Sequence, residues 1–426
     1  MAGNTVLVVG AGIAGLTAAR ELGNAGCQVV VLEARDRAGG RIWTTRNSQT
    51  DVPVELGAEF IHGEHVPTWE VIRELSLRTH EVPDQHWKAE QGSWQRREGF
   101  WNQLDAVFER IDAQALDRDF TSFLQDLPDI DRESKQLSRQ YVEGFHAADA
   151  RRIGVQALLR AEAAAKRDGI SQFRLHEGYS RLIDGIRAGL PPDRVQVLLR
   201  TVVKRIEWRR GRVLILAQTP RGPRWFDGTQ AVVTLPLGVL QQPAGRGVEF
   251  RPAISSKQNA IDSLAMGSVV KLVLEFQEVF WRNPNFGFIH APRTEIPTWW
   301  SDERGPVLTA WVGGPRAEAL SERNPSDIET TALRDLATIF DLDPETVRKK
   351  LKALHWHDWS ADPFARGAYS YTPAGMISMS NELALPVEGT LFFGGEATVE
   401  AGEQGTVHAA LFSGQRVARD LLRSIR

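Results

Sequence analysis

Residues 5–41 read TVLVVGAGIAGLTAARELGNAGCQVVVLEARDRAGGR, and this stretch decides the fold. Thr5–Val9 is a short β-rich apolar run that meets a glycine turn at Gly10-Ala11-Gly12-Ile13-Ala14-Gly15. From Leu16 the apolar spacing turns helical, with Leu16, Ala19 and Leu22 on one face until Gly26 stops it. Val29–Leu32 is the next strand, ending in Glu33. Gly10 serves the tight turn, Gly12 lets backbone approach a pyrophosphate, and Gly15 lets the helix pack closely on the sheet. The start of the helix offers free N–H groups and the positive dipole end to phosphates. Glu33 is placed to accept hydrogen bonds from a ribose. Strand, turn, helix, strand and terminal acid in this order predict dinucleotide binding.

The continuation Ala34-Arg35-Asp36-Arg37-Ala38-Gly39-Gly40-Arg41 narrows the ligand. A glycine pair is a poor helix interior, so Gly39 and Gly40 predict a second backbone turn, with Arg35 and Arg41 available to a diphosphate. The whole stretch resembles the FAD-binding start of the flavin amine oxidase family. That family takes in monoamine oxidases, polyamine oxidases, L-amino-acid oxidases and flavin histone-lysine demethylases. The nucleotide half is shared with phytoene desaturases, so this stretch alone implies FAD and not the substrate. The fold implied is α/β: a Rossmann-like FAD-binding domain (residues 1–78, 190–260 and 384–426) interwoven with an α+β substrate domain (79–189 and 261–383) that carries a helical subdomain at about 99–169.

The chain's 426 residues are too many for one ordinary domain. A hydrophobic fraction of 42% and a charged fraction of 25% fit a globular protein, and a net charge of −3 makes no case for nucleic acid. The single Cys27 excludes an internal disulfide and suits a reducing compartment, so the expected setting is cytoplasmic. No run approaches the roughly 18 apolar residues of a membrane span. The N-terminal apolar run, broken by glycines, reads as a strand and not a signal peptide. The C-terminus, 415–426, reads as the basic end of an amphipathic helix, with no counterpart to the apolar tail of monoamine oxidases.

Further along, 52–63 (VPVELGAEFIHG) is similar to the family's loop that returns to the flavin, through Leu56, Gly57, Ala58 and Glu59. A helix is expected at Pro67–Leu77, an antiparallel excursion at Thr79–Gln95, and helices through 99–168, among them Leu137–Ala147 and Val155–Arg167. Strand character returns at 194–217 and at Ala231–Leu240, which resembles the segment closing the nucleotide half. Val203 matches a family valine whose backbone meets the adenine. Val269–Phe276, Val307–Val312 and Leu351–Trp359 are expected to share a second sheet, with helices at Pro325–Phe340 and Pro344–Lys350. Thr390–Phe393 is the expected last strand and Thr406–Ser424 the last helix.

Several groups carry chemistry. In GTLFFGGEATVEAGEQGTVHAALF (389–412) a strand runs through Gly394-Gly395-Glu396 toward a helix start whose amides suit an electron-rich ring edge. The resemblance assigns Gly395 and Glu396 to the cofactor and Thr406-Val407 to its ring edge. Lys271 lies in a strand with Val269, Lys271 and Val273 on one face and Val270, Leu272 and Leu274 on the other. A lysine between two apolar faces needs a partner; the family places there a lysine that holds a water against flavin N5. The run 359–371 (WSADPFARGAYSY) resembles the demethylase and polyamine-oxidase branch, where it lies along the flavin. Trp359 belongs to this wall, Tyr369 matches a cage tyrosine, and Phe364 takes a place often held by Trp. Thr406 replaces the second cage aromatic, and Ala368 stands where monoamine oxidases carry the cysteine that bonds the flavin, so FAD is expected to be bound non-covalently. His62 matches a position that is His or Glu in several polyamine oxidases. Glu59, Glu177, Glu400 and Glu403 are candidates for drawing in a polyamine. His355 and His357 alternate on a strand, which reads as packing and not as a metal site.

These residues imply an FAD-dependent amine oxidase acting on a polyamine or a small primary or secondary amine, with O2 reduced to hydrogen peroxide. An L-amino-acid oxidase is the alternative and needs an arginine for the carboxylate, with Arg174 and Arg366 as candidates. A chromatin-binding demethylase is expected to carry a helical arm and an added helical module that this sequence lacks. An inactive FAD-binding scaffold is the remaining alternative.

Overall fold

The computed structural model describes residues 5–45, 48–50, 52–90, 92–243, 245–281 and 286–425. Residues 1–4, 46, 47, 51, 244 and 426 of the expected nucleotide unit, and 91 and 282–285 of the expected substrate domain, lie outside these. The strand order Val195–Leu198, Gln28–Leu32, Thr5–Val9, Gln230–Val233, Leu391–Phe393 makes a five-stranded sheet, parallel throughout. Strand alternation builds its two sides. Val6, Val8, Val29, Val31, Val232 and Phe392 point to the helices Ile13–Asn24, Ser180–Ala188 and Val407–Ser424. Leu7, Val9, Leu32, Ala231 and Val233 point the other way, onto the antiparallel strands Val202–Arg209, Arg212–Thr219 and Gly222–Gly228. A side chain buried in this way contributes about 1.5–3 kcal/mol. A one-residue slip would exchange the two sets, so the pattern holds the register.

The second sheet has seven strands in the order Leu351–Asp358, Val269–Phe276, Val307–Gly313, Thr298–Asp302, Phe288–His290, His86–Glu90, Ser93–Arg96. The three strands expected here are present and adjacent, and four more join them. Those four are short and have mixed polarity, so they carry weak alternation of their own. Val270, Leu272, Leu274, Leu308, Ala310 and Trp299 pack under the helices Pro325–Phe340 and Pro344–Lys350. The opposite face, with Lys271, Trp300 and Trp311, looks into a cavity.

The helices Phe100–Phe108, Phe120–Gln125, Arg132–Phe145 and Val155–Asp168 form a unit around Leu104, Val107, Phe120 and Val142. The helix expected at 137–147 begins earlier because Asp131 caps it, accepting the Ser134 N–H at 2.9 Å, and it ends before Ala147, which takes a positive φ. Two stretches pack differently from the expected division. Tyr179, Leu182, Ile183 and Ile186, assigned to the substrate side, fill the core beneath the first helix. Met379 and Leu383, also assigned there, pack against the strands Gln230–Val233 and Leu391–Phe393. In both, apolar residues at helical spacing complete the cover of the parallel sheet.

Candidate active site

The first glycine turn takes the geometry its residues require. Gly10 has φ +103°, and a Cβ on Gly15 would stand 2.0 Å from the Gly10 carbonyl oxygen. The first helix has no side-chain cap at Gly12, so the N–H groups of its opening turn are left for a ligand. The second turn is tied to the first. Gly39 N–H donates to the Ala11 carbonyl at 2.8 Å, and Gly12 and Gly39 form a bridge. Glu33 accepts Ala11 N–H at 2.7 Å with one oxygen and Arg35 N–H at 2.8 Å with the other. Burial raises its pKa despite these two bonds. Arg37, not singled out in the sequence, donates to the carbonyls of Ala38, Gly40 and Ile42 and lies 4.4 Å over the Trp43 ring.

One cavity of about 750 Å³ runs from these turns to the second sheet. Its wall includes Gly10, Gly12, Ile13, Ala14, Glu33, Ala34, Arg35, Gly39, Gly40 and Arg41 at one end, then Leu56, Gly57, Ala58, Glu59 and Val203. Trp359, Phe364, Tyr369, Gly395, Glu396, Thr406, Val407, Lys271 and His62 also line it. Gly15 alone among the expected cofactor residues stays behind the wall, where it packs on Gly10.

Lys271 is 2% exposed on its side chain and has the partner its apolar setting demands. It donates to Glu59 at 2.6 Å and to the Gly57 carbonyl at 3.2 Å. An ammonium has three donors, so one remains for a water or ligand. Glu59 also accepts Arg174 Nε at 2.8 Å and the Trp300 indole N–H at 3.0 Å. Burial pushes the Glu59 carboxyl up, but Lys271 and Arg174 more than offset it and hold it below its ordinary value.

The family model for flavin containing amine oxidoreductases matches residues 13–137 and 119–422, nearly the whole chain. The chain belongs to that family. Among curated relatives it is 30% identical to lysine-specific histone demethylase 1 homolog 2 of Oryza sativa subsp. japonica, over 98% of this chain and 57% of the relative. The chain therefore spans little more than half of that protein. It is 27% identical to probable polyamine oxidase 4 of Arabidopsis thaliana, over 99% of this chain and 87% of that one. Among solved structures, cyclohexylamine oxidase from Brevibacterium oxydans superposes with a TM-score of 0.83 at 20% identity. Putrescine oxidase bound to putrescine gives 0.81 at 22%; both comparisons cover 99% of each chain. At these identities the structures share the fold.

As a flavin containing amine oxidoreductase the chain uses FAD, and its cavity fits that group. Chain neighbours aside, no atom of the described residues lies within 4 Å of the point a Cβ on Gly12 would occupy, and the same holds at Gly395, which has φ +120°. At the other end, Thr406 caps the last helix by accepting Ala409 N–H at 3.1 Å, which leaves the amides of Val407 and His408 to the cavity. Glu396 is a hub: it accepts Arg41 at 2.9 Å, the Ser370 hydroxyl at 2.7 Å and Gly405 N–H at 3.0 Å.

Arg35 lines the cavity beside the glycine turns and is also tied to the second half of the chain. Both its terminal nitrogens donate to Asp362, at 2.7 and 2.8 Å, and its guanidinium lies over Phe364 and Trp359. A bidentate pair with a mostly buried carboxylate fixes the plane of the guanidinium. The candidates for a substrate carboxylate fare likewise: Arg174 is held by Glu59, and neither it nor Arg366 lines the cavity. Of the carboxylates expected to attract a polyamine, Glu59 and Glu403 line the cavity, whereas Glu177 pairs with Arg78 and Glu400 with Arg160. His355 bonds Glu275 at 2.6 Å and His357 bonds Asp362 at 2.7 Å, which accounts for both histidines.

Phe60, Phe145, Phe288 and Trp300, which the sequence reading did not single out, line the same cavity as Tyr369. The Tyr369 hydroxyl donates to the Phe145 carbonyl at 2.6 Å, and Phe60 packs on Trp300 and Phe288. Trp300 and Phe288 alternate with apolar neighbours along short strands, a signal readable only once those strands are recognised. His62 meets Phe145 edge-on at 5.6 Å, and burial brings its pKa down to about 4, so it is neutral near pH 7. Glu33→Ala is expected to free the Ala11 and Arg35 amides and to weaken FAD retention by about 1.5–3 kcal/mol. Comparing FAD dissociation constants of the two proteins checks this; equal constants would confine Glu33 to holding the turns.

Proposed function

We propose that this chain oxidises a polyamine or a small primary or secondary amine to an imine, hydrolysed to an aldehyde, with O2 reduced to hydrogen peroxide. The observation that carries the reading is the single cavity joining both glycine turns to the Lys271–Tyr369 end, walled there by aromatic side chains. When bound, FAD supplies a two-electron acceptor for the α-carbon's hydride equivalent. The chain's own residues do the rest. Tyr369, Phe60 and Trp300 exclude water and orient the C–H bond, and neutral His62 puts no charge beside the amine. Lys271, with two of its donors taken by Glu59 and Gly57, would keep one N–H for a water beside the bound ring. A cytoplasmic setting fits the single buried cysteine, and no helix of the described residues is long and apolar enough to cross a membrane.

An L-amino-acid oxidase would need a free arginine in the cavity. Arg35 and Arg41 are engaged by Asp362 and Glu396, and Arg316 is exposed. A demethylase reading draws on the 30% identity to a histone demethylase. Anaerobic mixing of the purified holoprotein with polyamines, monoamines, L-amino acids and a methylated lysine peptide decides among these. Bleaching of the flavin by an amine is expected; bleaching only by amino acids, only by the peptide, or by nothing would overturn the proposal. The same preparation should release its flavin on acid treatment, because Ala368 offers no thiol. Colour that stays with the denatured chain would contradict non-covalent binding.

A further inference from the structure

Asp84, His86 and His290 make a hydrogen-bonded chain at a part of the cavity remote from Lys271. Asp84 Oδ1 lies 2.9 Å from His86 Nε2, and His86 Nδ1 lies 2.9 Å from His290 Nε2. The second Asp84 oxygen accepts the Trp101 indole N–H at 2.8 Å. His86 lies flat on Phe100, with centroids 3.9 Å apart and planes 3° from parallel. Both histidines line the cavity, whereas the Asp84 side chain is 53% exposed. The three side chains therefore connect the cavity wall to solvent.

The end group sets the direction of every bond. The hydrogen bond from His86, against the opposing effect of burial, holds the Asp84 carboxyl below its ordinary pKa. An ionised carboxylate only accepts. His86 then donates through Nε2–H and is left with a lone pair on Nδ1. His290 donates its Nε2–H to that lone pair, so its own Nδ1 is an acceptor. Burial, the largest cause, holds the His290 pKa well below its ordinary value, so the ring is neutral. The other charges nearby pair among themselves: Lys88 with Glu90 at 3.4 Å and with Glu133 at 3.2 Å, and Arg97 with Glu133 at 3.5 Å.

The sheet register locates this chain. Lys271 pairs with Trp311, Trp311 with Thr298, and Thr298 with His290. Three strand spacings put His290 about 14 Å from Lys271. Exposed Lys166 also lines the cavity and bonds Asp105 at 3.4 Å. Asp105 is one helical turn from Trp101, which meets His86 edge-on at 5.6 Å. His86 and His290 thus adjoin a solvent-facing side of the cavity.

We propose that Asp84, His86 and His290 form a proton conduit that takes one proton from an entering ammonium and delivers it to solvent, so that the amine reaches the cofactor end uncharged. The inference rests on the amine-oxidising reading. An aliphatic amine with a pKa of about 10.4 is uncharged in only about one molecule in 2,500 at pH 7, and removal from water disfavours the charged form. The amine N–H passes its proton to His290 Nδ1. His290 Nε2–H passes its proton to His86 Nδ1, and His86 Nε2–H passes its proton to Asp84, which gives it to water. The amine loses one proton and solvent gains one. A proton returned along the same path to the leaving amine resets both rings.

Asp84→Asn keeps an acceptor for His86 and removes the proton sink at an exposed position. With an amine that bleaches the wild-type holoenzyme, kcat/KM of the variant is expected to fall about tenfold or more at pH 7 and to approach wild type near pH 10, where uncharged amine enters directly. An indicator dye in anaerobic stopped flow gives a second readout: bulk proton release on mixing should slow in the variant at pH 7. His290→Asn should repeat the same pH-dependent ratio. A wild-type to variant ratio that is constant from pH 6.5 to 10, with unchanged proton release, would show a structural role only and overturn the conduit. If no amine bleaches the wild type at any pH, the amine-oxidising reading falls, and the conduit with it.

Discussion

A Gly12→Val variant should fold and remain colourless. Gly12 has φ −68° and ψ 175°, a conformation open to any residue, and beyond its chain neighbours its added Cβ would meet no described residue within 4 Å. The valine therefore costs the apo chain only a weaker helix start, within about 1 kcal/mol. Its side chain fills the space beside the uncapped helix end where the pyrophosphate must approach. Gly15→Ala is the contrasting case: its Cβ would stand 2.0 Å from the Gly10 carbonyl oxygen, so backbone must move. Overpacking of this kind costs about 1–3 kcal/mol or more. Melting temperatures of the apo proteins and flavin content after purification separate the two effects. Full flavin occupancy in Gly12→Val would show that the cofactor does not lie across this turn.

Lys271→Met should impair both stability and reoxidation. The swap keeps the side chain's length but leaves Glu59 buried with only Arg174 and Trp300 as donors. Breaking a buried ion pair costs about 3–5 kcal/mol, and with Arg174 still present the lower end is expected. Glu59→Gln takes the carboxylate from both Lys271 and Arg174, so the Lys271–Glu59 coupling is read from a double-mutant cycle of unfolding free energies. Reoxidation of the reduced enzyme by O2 should slow about tenfold, equivalent to about 1.4 kcal/mol of barrier, because a positive charge near N5 favours electron transfer to oxygen. Reduction by amine should change less. Stopped-flow measurement of each half-reaction tests this; unchanged reoxidation would make Lys271 a structural partner of Glu59 alone.

The two glycine turns were legible because strand, turn, helix and second strand are contiguous, and each residue type answers a local demand of the backbone. Gly10, Gly12, Gly15, Glu33, Gly39 and Gly40 needed no distant partner to be recognised. The last helix start at Thr406 was legible for the same reason, and so was the apolar alternation around Lys271. The sequence by itself therefore determined a dinucleotide-binding α/β fold and a buried lysine in need of company. Tertiary structure decided what that company is. Glu59 lies 212 residues before Lys271 and 115 before Arg174, and their meeting depends on how the second sheet closes over residues 56–59. Arg35 found its carboxylate in Asp362, 327 residues on. His86 met His290, 204 residues away, only because the strand His86–Glu90 pairs with Phe288–His290. Backbone pairing between remote strands leaves no local trace of which side chains it will align, so the partners of Lys271, Arg35 and His290 belong to the tertiary structure alone.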